Sequence, residues 1–160
     1  MVISRKLTER LDKERVSAIL RRCTADIVEC WLARAKQSSE LNRLDLSDKE
    51  RTGHLPRLVE DLATRLSKSS AATNDSDAVF SMPAVAHGKV RYQQGYTPAM
   101  LVHESRILQV AIFGTLQNNF DSLDHRLLLP DVMAIADEVD AQLTQCMDSY
   151  MKAMRESEAA

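Results

Sequence analysis

Aromatic residues make up only 4% of the 160-residue chain, and there are just 4 glycines and 4 prolines. That scarcity, beside plentiful Ala, Leu, Arg and Glu, argues against a sheet protein and for helices throughout. The 3 cysteines are Cys23, Cys30 and Cys146. They form no Cys-x-x-Cys pair and are odd in number, which excludes a disulfide framework as the basis of the fold. An excess of positive charge is missing as well. The formal net charge is -2, so nothing in it points to nucleic acid as a partner. No apolar run approaches the length of a bilayer crossing, and the opening MVISRKLTER lacks the apolar region of a signal peptide. The expected setting is therefore the cytoplasm, and the expected organisation is one domain over residues 1–160 with a single core.

What is present is helical periodicity. From about Leu7 to Gln37, Val16, Ile19 or Leu20, Cys23, Ile27 and Cys30 recur on one face, with Trp31 beside them. Cys23 and Cys30 are thus expected as core thiols, and Ser38 to Leu46 as a connection. Ser47 has the look of an N-cap before the acidic Asp48 and Glu50. Gly53 and Pro56 break that segment, so a short helical turn precedes a longer helix starting near Leu55. Leu55, Leu58, Val59, Leu62 and Leu66 make its stripe, with His54 at its head as a cap or surface residue. The small polar run SKSSAATNDSD, residues 67–77, predicts a mobile loop inside the domain. Near the end, Pro130 and Asp131 open a helix to about Met154, on which Val132, Ile135, Val139, Leu143, Cys146, Tyr150 and Met154 share a face. Together these segments predict an all-α bundle of about five or six helices.

The most informative stretch is AVAHGKVRYQQGYTPAMLVHESRILQ, residues 84–109. His87 and Arg91, four apart, share a helix face. Gly95 suits the left-handed position that ends a helix, Thr97 caps the next one, and Pro98 fits its first position. The second helix, running to about Asn119, is apolar nearly all round, and Gly114 on it would permit close approach of a neighbour. Glu104 lies in a row with Leu101, Leu108, Ala111 and Ile112 that is otherwise apolar. A hairpin about Gly95 and Tyr96 brings His87 level with Glu104 and puts Arg91 one turn nearer the bend. A buried carboxylate needs such partners. His87, Arg91, Tyr96 and Glu104 are therefore the predicted polar cluster, either a structural ion pair that fixes helix register or a pocket that binds or senses something.

Chemistry of other kinds finds little to stand on. His103-Glu104 begins like a zinc-protease motif, but Ile107 occupies the place of the second histidine, and no Glu-x-x-His pair supplies a di-iron site. No metal, no cofactor and no catalytic residue is expected. HESRIL, residues 103–108, resembles the phospho-accepting box of sensor histidine kinases, with Ile107 where that box has proline. A phosphotransfer bundle using His103 is therefore one alternative, and a small-ligand or haem-binding helical sensor is another.

HGKVRYQQGYTPAMLVHESRIL resembles the His-Gly-x-x-Arg, Gly-aromatic, Glu pattern of the N-terminal domain of RsbRD-type proteins, co-antagonists in bacterial stress signalling. HLPRLVEDLA, residues 54–63, resembles that family's second signature. Similar domains begin soluble bacterial sensor histidine kinases. The positions that correspond are His87, Gly88, Arg91, Gly95, Tyr96 and Glu104. The resemblance implies a non-catalytic sensory or regulatory domain whose output lies in a C-terminal or partner kinase or stress-regulator module. It also implies a homodimer, and it names no ligand.

Overall fold

A computed structural model describes residues 13–69 and 80–160. Its elements are α1 (Val16–Arg22), α2 (Thr24–Gln37), α3 (Asp48–Thr52), α4 (Leu55–Ser69), α5 (Met82–Gln93), α6 (Pro98–Asn118) and α7 (Leu128–Glu158). Short 3-10 turns lie at Leu41–Arg43 and Phe120–Ser122. With α1 and α2 counted as one rod bent at Cys23, the described residues hold six α-helices, in keeping with the predicted all-α bundle. The only β pairing among them is an isolated parallel bridge between Glu14 and Leu123.

Local chemistry accounts for the boundaries. Ser47 and Glu50 cap α3 reciprocally, each side chain taking the other's backbone N–H. The helix pauses at Gly53 and restarts at Leu55. Thr97 caps α6 by accepting from Met100 N, with Pro98 at the first helical position. Gly95, at φ +81°, takes the left-handed conformation that a side chain would strain.

The core runs along α1, α2, α4, α6 and α7. Ile19, Leu20, Ile27, Trp31, Leu62, Leu101, Ile112 and Ile135 are all completely shielded from solvent. α5 packs chiefly on α7, α1 on α4, and α2 on α6. α5 and α7 come close at Gly88, where a Cβ would stand 2.0 Å from the carbonyl oxygen of Cys146. One turn earlier, Ser149 Oγ donates to Val85 O at 2.7 Å. The glycine of the His-Gly-x-x-Arg signature is thus what lets α5 lie against the backbone of α7.

Several expectations need correction. The first helix does not run unbroken from Leu7: residues 13–15 are not helical, the rod bends at Cys23, and residues 7–12 lie outside the described residues. Cys30 is only half-buried, because the bend turns the core face toward Trp31 and Ala35. Residues 67–69 of the predicted loop belong to α4, and the rest of that stretch lies outside the described residues. Gly114 faces open space, with nothing within 4 Å of where its Cβ would be, so close approach falls to Gly88 instead. α7 starts at Leu128, two residues before Pro130, which serves its first turn.

Candidate functional site

α5, α6 and the turn between them place His87, Arg91 and Glu104 together, as the hairpin predicted. Glu104 is 3% exposed and Arg91 is fully buried. His87 Nε2 lies 2.5 Å from Glu104 Oε1. Since an ionised carboxylate only accepts, Nε2 carries the proton in that bond. Arg91 Nε donates to the same oxygen at 3.1 Å. Arg91 Nη2 stands 2.9 Å from Glu104 Oε2, an ion-pair contact outside hydrogen-bond geometry, so Oε2 accepts no hydrogen bond. Burial alone would raise the Glu104 pKa, but the His87 ring and the Arg91 guanidinium outweigh it and hold the carboxyl below its usual range.

Arg91 also ties the cluster to α3. Its Nη2 donates to Arg51 O at 2.8 Å and its Nη1 to Gln94 Oε1 at 2.7 Å. The guanidinium lies over the Tyr96 ring, 4.4 Å from its centroid, and 5.9 Å from the Trp31 ring. Tyr96 therefore joins the cluster through its ring face. Its hydroxyl makes no hydrogen bond, and burial together with Glu104 pushes its pKa up. Trp31 Nε1 donates to the Glu104 carbonyl at 3.1 Å, fixing α2 to α6 at this level.

Two participants were not foreseen as such. His54, expected as a cap or surface residue, packs its ring against His87 with centroids 4.3 Å apart. Its Nε2 is buried without a partner, as is His87 Nδ1. Burial, then the charges of His87 and Arg91, lowers the His54 pKa to about 3, so the ring is neutral. The signal that could have found it is HLPRLVEDLA, whose first residue it is. Arg51, 5% exposed, donates to the carbonyls of Leu41, Leu44 and Leu46 and so holds the backbone on which Arg91 rests.

Beside the cluster lies a small cavity of about 30 Å³, bounded by His87, Glu104, Trp31, Gln142, Leu143 and Cys146 among others. That is room for roughly one or two waters. The cluster also reaches α7: Tyr150 Oη donates to Tyr96 O at 2.7 Å, and the Tyr150 ring meets Tyr92 edge-on at 5.4 Å. His103 lies on a different face of α6, in a groove with Arg34 and Arg106. Its neighbour Glu104 is turned inward and engaged, so it cannot assist proton transfer at His103 as a phospho-accepting box requires.

Among the described residues there is no group of three or more His, Cys, Asp or Glu side chains that could hold a metal, and no helix long and apolar enough to cross a membrane. Fold and site together define a helical bundle domain built round a buried carboxylate–imidazole–guanidinium cluster. Residues 25–160 match the family model described as the RsbT co-antagonist protein rsbRD N-terminal domain. The chain belongs to that family, whose members are regulatory signalling domains of the stress-response pathway. No curated protein and no solved structure matches it.

Proposed function

We propose that this chain is a single-domain, non-catalytic signal-input module of the cytoplasm, with His87, Arg91, Tyr96 and Glu104 as its sensing site and α7 as its output element. The observation that carries the proposal is the continuity from cluster to output helix. Glu104 holds Arg91, Arg91 lies on Tyr96, and the Tyr96 carbonyl holds the hydroxyl of Tyr150 on α7. The same helix lines the cavity through Leu143 and Cys146. A ligand or local change that bears on Glu104 therefore meets α7 within three contacts, a contiguous path of the kind coupling needs. The chemistry of the site favours sensing over turnover. Glu104 is neutralised by its partners, and burial first, then Glu104, pushes the Cys146 thiol up to about 12, leaving it a poor nucleophile.

The output is a kinase or stress-regulator module joined to α7 or bound as a partner, and the domain works as a homodimer. Val102 on α6, and Leu129 and Met133 on α7, are large apolar side chains left exposed for such an interface. The test uses the domain in its natural context, with the output module present. Tyr150→Phe keeps the ring and deletes the bond to Tyr96. It should change the module's activity or partner binding severalfold while the melting temperature moves by only a few degrees. Unchanged output in both Tyr150→Phe and His87→Gln would refute the coupling. Light scattering that shows a monomer at high micromolar concentration would refute the homodimer.

A further inference from the structure

Of the twelve arginines described, six already have a carboxylate. Arg15, Arg21, Arg22, Arg65, Arg91 and Arg126 each pair with an Asp or Glu. Arg34, Arg43, Arg51, Arg57, Arg106 and Arg155 show no carboxylate partner among the described residues, and of these Arg34 and Arg106 share one groove. Both line a groove of about 280 Å³ between α2 and α6, near the lower limit of small-ligand pockets. Its other walls include His103, Ser38, Ile107 and Val110, and no carboxylate. The position of Arg34 in the last turn of α2 has a sufficient structural reason, since a cation there complements the helix dipole. Arg106 stands in mid-helix and has no such reason. We propose that this groove binds a phosphate monoester of a small organic molecule, at a site spatially separate from the buried cluster.

The ligand class follows from charge and shape. Two guanidinium groups match the charge of roughly -1.5 to -2 that a phosphate monoester carries at neutral pH. Their planar forks suit its oxygens bidentately. A carboxylate would neutralise only one of them. The Ser38 hydroxyl and the His103 ring supply further hydrogen-bonding groups. Ile107 and Val110, the latter 41% exposed, form an apolar wall that inorganic phosphate would leave wet and an organic group would cover. Because His103 and Glu104 are neighbours on α6, a ligand held in the groove bears on the helix that also carries the buried carboxylate.

Phenyl phosphate is the probe, titrated into the whole chain at constant ionic strength by calorimetry and by amide NMR of α2 and α6. The expected result is saturable binding centred on Arg34, His103 and Arg106, at least about fivefold tighter than inorganic phosphate and than benzoate. Arg34→Gln with Arg106→Gln should weaken it about tenfold per arginine and lower the melting temperature by no more than a few degrees, the cost of removing one cation from the last turn of α2. Any of three results overturns the proposal: no saturable shift with phenyl phosphate, equal affinity for benzoate or inorganic phosphate, or binding unchanged in the double variant.

Discussion

Glu104→Ala tests the central cluster most directly. Among the described residues the change removes the only carboxylate paired with Arg91, which has no exposure at all, and strands His87, which is 6% exposed. Breaking one partner of a buried pair costs roughly 3–5 kcal/mol, because the remaining charge is left without compensation. Here the lower half of that range is expected, since Arg91 keeps Arg51 O and Gln94 Oε1 as acceptors. Against a typical total of about 5–15 kcal/mol, such a loss is large. At a urea slope of about 2 kcal/mol per molar it moves the unfolding midpoint by roughly 1.5–2 M. Trp31 is a ready reporter, as the only tryptophan and bonded to the Glu104 carbonyl itself. Far-UV circular dichroism gives the second probe that two-state analysis needs. Adding Arg91→Met should recover part of the loss, because the uncompensated charge goes with it, and the double-mutant cycle then reads the coupling. A Glu104→Ala midpoint within about 0.5 M of the parent, or roughly 1 kcal/mol, would refute the reasoning, since that is the cost of losing a surface glutamate.

Two glycines should respond in opposite senses. Gly88→Ala drives a Cβ into the Cys146 carbonyl and should cost at least about 2 kcal/mol in urea unfolding, as overpacking against backbone does. Gly114→Ala meets nothing within 4 Å and should gain about 0.5–1 kcal/mol from helix propensity. Acid should also weaken the fold through His54, whose folded value of about 3 lies below its ordinary 6.5. The unfolded chain takes up that proton first, so this contribution is complete above pH 6.5 and is lost as pH falls toward 3. At about 1.4 kcal/mol per pH unit it amounts to at most roughly 4–5 kcal/mol. Glu104, held low in the fold, adds its own loss only below the ordinary carboxylate range. Stability of His54→Leu should therefore stay flat between pH 6.5 and 5 where the parent declines, and an identical decline in both would refute the assignment.

The hairpin was legible because each of its parts is a local rule. Gly95, Thr97 and Pro98 set where one helix ends and the next begins. The i, i+4 spacing then puts His87 and Arg91 on one face, opposite the single charge on an apolar stripe. Capping chemistry placed α3 and α4 in the same way, through Ser47, Glu50 and Gly53. What escaped is what depends on distant partners. The bend at Cys23 has no proline or glycine to announce it. Gly114 and Gly88 both sit within helices, and only the path of α7 decides which one needs to be small. His54 lies 33 residues before His87, and its polar side chain at a helix head gives no local sign of burial.

That asymmetry bears on how the two sites relate. His103 and Glu104 are consecutive, so a helix must aim them about 100° apart. One lines the groove with Arg34 and Arg106, and the other is committed to the core with His87 and Arg91. A shift of α6 toward one set of contacts would strain the other, because Glu104 is fixed by bonds to both its side chain and its carbonyl. If both sites act, phenyl phosphate in the groove should therefore perturb the Trp31 indole N–H resonance, although Trp31 is not among the residues lining the groove. Loss of that remote shift in Glu104→Gln, with groove binding retained, would locate the coupling in the carboxylate. A Trp31 signal that stays still while the groove saturates would make the two faces of α6 independent.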